Sequence, residues 1–442
     1  MERQATVRLA PVAIVDLLDV HECFPDHYPH LLLSGATGGG RYDILFAYPE
    51  GRLILEADST PDDCTRFFRA LDAQVPTSRS KTKTGPDLPF HYGHFLYFSY
   101  ELIAGIEPRL HLARPDTVPL AWAQGFGGAV IRDHETRATY ITAREAQIAD
   151  VIEQDLQHMR CGPAETLAIE WVREDEPCEY TQRINAIQAY IAAGDIFQGN
   201  LSRGYKAHAD ANTKPSSVMR ALRTHNPAPF SALAHIGPTA IISASPERLV
   251  RVQGDRITTH PIAGTIARAV DPKNDKEAKR TLRDHPKEQA EHIMLVDLER
   301  NDLGRLCVPG TVQVTKLMDI ESYATVHHLV SEIQGTLRPR TPLSTIISSL
   351  FPGGSITGCP KLRCIEILSE LEQGARGPYT GSLGYVNEEG DIDLNILIRT
   401  IMMRGQYLTW RVGGGIVADS KPAHELAETR AKAAGLLRSL GL

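Results

Sequence analysis

The chain has 442 residues, of which 42% are hydrophobic and 23% are charged, a composition typical of a globular protein with a large buried core. Its net charge of -7 argues against a nucleic-acid-binding protein, which needs a basic surface to neutralise phosphates. The seven cysteines are spread along the chain without CxxC pairs, which predicts reduced thiols and a cytoplasmic protein.

The N-terminal part of the chain reads mostly as strands and turns. Its first segment, "MERQATVRLAPVAIVDLLDV", carries charges and lacks a small-residue cleavage site, so we expect no signal peptide. No apolar run in the sequence reaches the roughly 18 residues that a membrane helix requires. Segments such as "PHLLLSG" and "YDILFAYPEGRLILEA" predict short strands up to about residue 145. The polar, basic stretch from Ser78 to Pro89 is rich in structure breakers and predicts a mobile loop.

Helices and strands alternate more clearly in the rest of the chain. A helix is predicted from Glu145 to Met159, and another in "YTQRINAIQAYIAAGDI", where apolar residues recur at helical spacing before Gly194. The order of helices and strands lacks a regular βαβ repeat, which favours the α+β class. We expect residues 1–145 to contribute strands and residues 146–442 to carry the functional site, as one integrated fold.

Two further helices are predicted near the C-terminus. One begins at Pro286 in "HPKEQAEHIMLVDLERNDLG" and is expected to pack through Ile293, Met294 and Leu298. The other, "PAHELAETRAKAAGLLRSL", follows "YLTWRVGGGIVADS", which reads as a strand that runs into a glycine loop.

Two pairs of carboxylates lie on these two helices, and within each pair the residues are three apart. Glu288 and Glu291 share one helix face, and Glu425 and Glu428 share another. Facing each other, the pairs could hold Mg²⁺, which prefers oxygen ligands and keeps waters that a bound anion can replace. On spacing alone, two solvated helix faces are the favoured alternative. Lys432 lies on the face of the second pair and either balances its charge or meets an anionic ligand.

Two glycine-rich segments are candidates for ligand contacts. Gly413 to Gly415 would let the backbone approach a carboxylate or phosphate closely, although most glycine triplets are ordinary loops. No Walker lysine and no GxGxxG motif accompany them, so nucleotide binding is disfavoured. The segment "FPGGSITGCPKLR" predicts a structured loop that presents the hydroxyl of Thr357.

Two titratable residues are candidates for acid–base chemistry. Glu247 follows Pro246, where a strand is interrupted, and a carboxyl group among apolar neighbours can have a raised pKa and act as a general acid. A surface ion pair between Glu247 and Arg248 is the commoner outcome. His328, in "VHHLVS", is either a core histidine or a catalytic one.

Many motifs of the chain, in their order, resemble those of the chorismate-utilising enzymes. They include "AGDIFQGNLSR", "NPAPFSA", "SPERL", "HPIAGT", "KEQAEHIMLVDLERNDLGR", "FPGGSITGCPK", "PYTGSLGYV" and "GGGIVADSKPAHELAET". The family includes the large subunits of anthranilate synthase and aminodeoxychorismate synthase, together with isochorismate and salicylate synthases. The resemblance is dense from about residue 180 and looser before it. It implies two antiparallel sheets that pack face to face, with helices outside.

The resemblance also implies roles for individual residues. Glu291 and Glu428 would bind Mg²⁺ directly, with Glu288 and Glu425 close by, and the ion would hold a chorismate carboxylate. Glu247 would protonate the departing 4-hydroxyl, with His328 and Thr357 beside the ring. A tryptophan pocket is implied near Ser34. The residues implied to contact the substrate are Gln198, Ala263, Gly264, Thr265, Tyr379, Arg399, Gly413, Gly414, Gly415 and Lys432.

Two positions distinguish the members of the family. Gln198 stands where water-using members carry a lysine, and a neutral amide cannot be that base. Ala263 stands where many aminodeoxychorismate synthases carry, in the pattern PIKGT, a lysine that attacks C2 of chorismate. Anthranilate synthases typically read PIAGT, so Ala263 predicts that external ammonia is the nucleophile.

The other motifs favour a different member of the family. "FPGGSITGCPK" and "NPAPFSA" resemble aminodeoxychorismate synthases, so the sequence predicts a non-covalent amination that ends at 4-amino-4-deoxychorismate. Anthranilate formation is the alternative, and a non-catalytic subunit that binds metal and anions is an alternative of another class. The chain shows no glutaminase signature, which predicts that a separate glutamine amidotransferase subunit supplies ammonia.

Overall fold

The computed structural model describes residues 5–12, 16–34, 40–77, 87–160, 167–269, 271–323 and 326–442. Residues 78–86 of the predicted mobile loop lie outside these ranges. The strands are β1 (Thr6–Leu9), β2 (His30–Leu33), β3 (Tyr42–Leu55), β4 (Gly93–Phe98), β5 (Ala121–Asp133), β6 (Thr139–Ala143), β7 (Ile169–Glu174), β8 (Gln198–Ala209), β9 (Phe230–Ile236), β10 (Thr239–Ser245), β11 (Arg248–Gln253), β12 (Arg256–Thr259), β13 (Ile262–Ala267), β14 (Gln313–Ser322), β15 (Val326–Thr336), β16 (Gly358–Cys359), β17 (Ser382–Asn387), β18 (Ile392–Asn395), β19 (Thr400–Arg404) and β20 (Tyr407–Ile416). The helices are α1 (Leu17–Cys23), α2 (Pro61–Asp72), α3 (Leu102–Ile106), α4 (Ala146–His158), α5 (Pro177–Ala192), α6 (Pro215–His225), α7 (Pro272–Asp284), α8 (Pro286–Leu306), α9 (Leu343–Leu350), α10 (Lys361–Leu371) and α11 (Pro422–Ser439).

The strands form two antiparallel sheets that share the long strands β3 and β5. Every strand pair that the structure describes is antiparallel. One sheet runs β7–β8–β20–β19–β10–β9–β2–β3–β5–β6–β1. The other continues from β5 through β4–β17–β18–β11–β12–β15, and β13 and β14 also pair with β15.

Apolar side chains fill the space between the two sheets and the outer faces of both. Phe46 and Phe95 pack with Ala234 and Ile241 in one central cluster. Helices α1, α4, α6 and α11 cover the first sheet, and α2, α8 and α9 cover the second. Because burial of such surface is the main favourable term in folding, this layering follows from the amphipathic pattern of the elements. The predicted α+β fold with two facing antiparallel sheets is confirmed.

Helix α8 begins at Pro286, as predicted, and of the residues expected to pack, Leu298 lies against Gly354 whereas Ile293 does not pack. Ile293 is 48% exposed, whereas His292 is fully buried and bonded to the hydroxyl of Ser331 on β15. Leu295 and Val296 are buried as well. The buried face of α8 is the one that lies against β13 and β15.

Three helices in the N-terminal part were not predicted. The signal for α2 is present in the sequence, since Thr60 and Asp63 form a reciprocal capping box and Pro61 takes the first helical position. In the part of the chain that the structure describes, no helix is both long and apolar enough to cross a membrane.

Candidate active site

Glu247 lies in the two-residue gap between β10 and β11 and is buried. Its Oε1 accepts a hydrogen bond from the Ser355 hydroxyl at 2.6 Å. Burial raises the pKa of Glu247 to about 7, against the lowering effects of this hydrogen bond and of the Arg399 charge. The carboxyl group is therefore buried rather than paired at the surface, and it holds a proton near neutral pH.

The positive charge of Arg399 acts on both Glu247 and His328 and lowers the pKa of each. The backbone of Arg399 has a positive φ of 51°, and its carbonyl oxygen accepts from the N–H of Ala244. His328 lies on β15 and is buried, and its Nδ1 is 2.8 Å from the hydroxyl of Thr265. Burial, and after it the Arg399 charge, lowers the pKa of His328 to about 4. His328 is therefore a neutral hydrogen-bonding group at neutral pH.

The stretch Ala263 to Thr265 belongs to β13 and contains a bulge. The pairing with β15 shifts register between Ala263 and Thr265, and Gly264 between them has a φ of 69°, which favours glycine. A methyl group on Gly264 would lie 2.8 Å from Oε2 of Glu288. The structure thus brings Glu288 beside the bulge.

The loop before α10 was predicted to present the hydroxyl of Thr357, but in the structure that hydroxyl bonds within the loop and the hydroxyl of Ser355 points out of it to Glu247. Thr357 is fully buried, and its hydroxyl donates to the carbonyl oxygen of Gly353 at 2.8 Å. Its own carbonyl accepts from the N–H of Asn200 on β8. Ser355, not Thr357, reaches the carboxyl group of Glu247, so the sequence analysis missed the residue of this loop with a contact to the candidate acid.

Gly413 to Gly415 lie inside β20 and not in a loop, because β20 continues to pair with β8 through all three residues. A methyl group on Gly413 would lie 2.7 Å from the Tyr379 hydroxyl, and one on Gly415 would lie 2.0 Å from Nε2 of Gln198. Because Gly413 and Gly415 have no side chains, the Tyr379 hydroxyl and the Gln198 amide can lie against the backbone of β20. We call the wall formed by Gly413, Gly415, Tyr379, Gln198 and Asn200 the glycine wall.

Two acceptors of the glycine wall have no hydrogen-bond partner in the structure. They are Oε1 of Gln198 and Oδ1 of Asn200, and both residues are buried. Asn200 follows Gln198 by two residues on β8, so the two side chains point to the same face. Since unpaired buried acceptors are costly, the wall has capacity for a ligand that donates hydrogen bonds.

Helix α11 places its polar side chains beside Gly414. Glu425 is buried, its Oε1 accepts from the Ser420 hydroxyl, and its Oε2 would lie 3.6 Å from a methyl group on Gly414. Glu428 is half exposed and forms an ion pair of 2.8 Å with Lys432, which also donates to the carbonyl oxygen of Gly413. The structure thus brings Glu425, Glu428 and Lys432 together.

The four acidic residues on α8 and α11 do not form one cluster. Among the residues that the structure describes, no group of three or more His, Cys, Asp and Glu side chains is arranged to hold a metal ion. The donor set still suits Mg²⁺, because this ion is usually bound by one or two carboxylates and completes its octahedron with water and ligand oxygens. Glu425 and Glu428 are the pair that the structure brings side by side, with carboxylate oxygens 3.6 and 3.8 Å from a methyl group placed on Gly414.

Ser34 lines a cavity of about 530 Å³. Its N–H donates to Asp43 at 2.9 Å, and its hydroxyl donates to the carbonyl oxygen of Tyr42. Pro246, Arg248, His260 and Ile262 also line the cavity. Because neighbours along a strand point to opposite faces, Ile262 faces the cavity and Ala263 faces away from it.

A protein-family model described as chorismate binding enzyme matches residues 28–438. An anthranilate synthase component I-like protein of Synechocystis sp. is 38% identical, over 94% of this chain and 84% of its own. Aminodeoxychorismate synthase component 1 of Bacillus subtilis is 36% identical, over 93% of this chain and 92% of its own. The crystal structure of anthranilate synthase component I from Streptococcus pneumoniae superposes with a TM-score of 0.78 at 27% identity, covering 97% and 98% of the two chains.

Proposed function

The chain belongs to the chorismate-binding enzymes, and from this premise we propose that it is component I of an aminodeoxychorismate synthase. The proposed reaction converts chorismate and ammonia to 4-amino-4-deoxychorismate, for the synthesis of p-aminobenzoate and folate. The observation that carries the proposal is a buried carboxyl group, Glu247, whose pKa is raised to about 7, together with an alanine at position 263 of the proposed site. Such a site can expel a hydroxyl group but offers no lysine there to attack the ring.

The proposed reaction has two displacements. Ammonia forms a bond to C2 and gives up a proton, while the C4–O bond breaks and the hydroxyl leaves as water with the proton of Glu247. A second ammonia then forms a bond to C4 and gives up a proton, while the C2–N bond breaks and the first amine leaves as ammonia. Pyruvate is not lost. Because ammonia replaces the missing lysine, the route needs no covalent bond to the protein.

The glycine wall and its neighbours are proposed to bind the substrate. Tyr379, Arg399 and the N–H groups of Gly413 to Gly415 would hold the two carboxylates, together with Lys432. The open acceptors of Gln198 and Asn200 suit the N–H groups of ammonia. Ala263, Gly264 and Thr265 would line the space around the ring, where Thr265 holds His328 by their hydrogen bond.

Mg²⁺ is proposed as the cofactor, with Glu291 and Glu428 as direct ligands and Glu288 and Glu425 nearby. When bound, the ion would supply positive charge to a substrate carboxylate. The carboxylates of the chain would hold and orient it, and Lys432 would keep the charge around Glu428 balanced.

A separate glutamine amidotransferase is proposed to supply the ammonia, and a cytoplasmic location is proposed with it. The relative from B. subtilis is named component 1, which supports a second subunit for that protein. The six cysteines that the structure describes are all thiols, which agrees with a reducing compartment. The cavity beside Ser34 is proposed as the tryptophan pocket.

Anthranilate synthase component I is the second candidate function. The pattern PIAGT around Ala263 and the similarity to the protein of Synechocystis sp. favour it. A non-catalytic subunit that binds metal and anions is the third, and the buried Glu247 argues against it, because an unused carboxyl group of this kind only costs stability.

The product distinguishes these candidates. We expect the protein to convert chorismate, with Mg²⁺ and a high concentration of ammonium near neutral pH, to 4-amino-4-deoxychorismate, identified by mass and by coelution with a standard. Fluorescent anthranilate with release of pyruvate would support the second candidate instead. Binding of chorismate without any turnover would support the third.

Gly415→Ala is expected to raise the KM for chorismate or ammonia by about tenfold or more, because small displacements of positioning groups are costly. Its methyl group would lie 2.0 Å from Nε2 of Gln198 and displace that amide. The free energy of unfolding should change little, since the amide is the end of a flexible side chain. Gly51→Ala is the matched control, because Gly51 lies in β3 with nothing within 4 Å of the new methyl group. Equal kinetics for the two variants would contradict a role for Gln198.

A further inference from the structure

Arg376 lies between α10 and β17 and uses all five of its guanidinium N–H groups. Its Nε and Nη2 donate to the two carboxylate oxygens of Glu372 at 2.8 and 2.7 Å. Nη2 also donates to the carbonyl oxygen of Asn200 at 2.7 Å. Nη1 donates to the carbonyl oxygen of Ile356 at 3.4 Å and to the hydroxyl of Thr380 at 3.3 Å. A guanidinium group has five such donors in a fixed plane, so its position is fully determined.

Two tyrosine rings lie against the same guanidinium group. Its central carbon is 4.6 Å from the ring centre of Tyr100 and 5.6 Å from that of Tyr379. The backbone of Arg376 is also held, because its N–H donates to Oε1 of Glu101 at 2.6 Å. Arg376 is 5% exposed, so these contacts are made away from water, where charge–ring contacts are strongest.

The partners of Arg376 belong to four segments, and three of these form or adjoin the glycine wall. Asn200 is a member of the wall on β8, and Tyr379 is its aromatic member. Ile356 precedes Thr357, whose carbonyl oxygen accepts from the N–H of Asn200. One side chain thus ties together segments that are up to about 180 residues apart in the sequence, as Asn200 and Tyr379 are.

Glu372, the carboxylate partner of Arg376, also contacts residues of β8 and β20. It accepts from the N–H and the hydroxyl of Ser202 on β8 at 2.7 and 2.9 Å, and it lies 3.4 Å from Arg411, which is two residues before Gly413. Burial raises the pKa of Tyr379 to about 12, whereas Arg376 and Arg411 lower it. The Tyr379 hydroxyl therefore stays protonated and can donate to an anion.

We propose that Arg376 is a positioning residue for substrate binding: it fixes the Tyr379 ring and the β8 backbone against the glycines of β20. Arg376 is buried behind the wall, so it acts through these groups and not by touching the substrate. The inference rests on the proposed assignment of the glycine wall to the carboxylates of chorismate. It does not depend on which product the enzyme forms.

Arg376→Lys keeps the positive charge. It loses the paired hydrogen bonds of the guanidinium group to the two carboxylate oxygens of Glu372, and it loses the planar group that lies against the rings of Tyr100 and Tyr379. We expect the Kd for chorismate, measured by calorimetry with Mg²⁺ and without ammonia, to rise at least about tenfold, a change that one lost binding contact can cause. KM should rise by a similar factor and by more than kcat falls, because the loss affects binding of the substrate and the transition state alike.

Arg203→Lys is the matched control. Arg203 is fully buried on β8, pairs with Glu174 and lies 5.8 and 5.6 Å from the ring centres of Tyr180 and Tyr205. Because side chains alternate along a strand, it lies on the face of β8 opposite to the wall residues Gln198 and Asn200. We expect it to lower the free energy of unfolding as much as Arg376→Lys does and to leave the Kd for chorismate unchanged. If the two variants have the same Kd, Arg376 has only a structural role and the proposal is wrong.

Tyr100 gives a second test that leaves Arg376 in place and applies even if Arg376→Lys does not fold. Tyr100→Leu removes the ring below the guanidinium group and should raise the Kd for chorismate. Tyr100→Phe keeps the ring and removes a buried hydroxyl that has no hydrogen-bond partner, so it should retain the wild-type Kd. An unchanged Kd in Tyr100→Leu would overturn the proposal. A different product in the product assay would overturn the proposed function and leave these Kd values as they are.

Discussion

Glu247→Gln is expected to lower kcat by about 10²- to 10⁴-fold, the usual contribution of a general acid, while the protein stays folded. Glutamine has the size of glutamate and can still accept from the Ser355 hydroxyl, but it has no proton to give to the leaving hydroxyl. Turnover is measured as formation of the aminated product at saturating chorismate and ammonium. Wild-type kcat in Glu247→Gln would show that another group protonates the leaving hydroxyl.

The pH dependence of wild-type turnover follows from the same carboxyl group. Glu247 must be protonated to act, so turnover should fall as the pH rises through its pKa of about 7. The concentration of free ammonia must be held constant across the pH range, since ammonium also loses its proton as the pH rises. Ser355→Ala removes a hydrogen bond that favours the charged form, so the fall should move to higher pH.

Glu247 should also make the stability of the protein depend on pH. Below about pH 4.5, the ordinary value for glutamate, the carboxyl group is protonated in the folded and the unfolded chain and has no effect. Between that pH and about 7 the unfolded chain loses its proton first, so the free energy of unfolding falls. Glu247→Gln removes this loss. The variant should therefore be more stable than the wild type at pH 8 and equally stable at pH 4, in urea unfolding.

Glu428→Gln is expected to raise the Mg²⁺ concentration for half-maximal turnover by at least about 10- to 100-fold, since even outer-shell changes have effects of this size. Turnover at very high Mg²⁺ should recover, because Glu291, the other proposed direct ligand, remains. A chelator should abolish wild-type turnover, and added Mg²⁺ should restore it. The proposed metal site is wrong if turnover persists in the chelator or if the variant responds to Mg²⁺ as the wild type does.

Glu179→Gln is the control for the loss of a helical ion pair. Glu179 pairs with Arg183 at 2.7 Å, one helical turn away on α5, as Glu428 pairs with Lys432 on α11. Partly exposed helical pairs such as these contribute little to stability, so both variants should unfold like the wild type. The Mg²⁺ response should change in Glu428→Gln alone.

The sequence alone determined those features whose signals lie within a few residues of one another. The starts of α8 and α11 follow from proline at the first helical position, and the break that holds Glu247 follows from Pro246. The motifs also identified the family, which the match over residues 28–438 shows.

Only the tertiary structure decided the features that depend on residues far apart in the chain. Gly413 to Gly415 were predicted as a loop, yet they are strand, because the partner strand β8 lies about 200 residues earlier and its pairing register is not visible locally. Ile293 was predicted to be buried, yet the sheet below α8 selects another face. The burial of Glu247, its contact with Ser355 and the five contacts of Arg376 depend on packing between distant segments, because burial and charge at a point are set by everything that surrounds it in space.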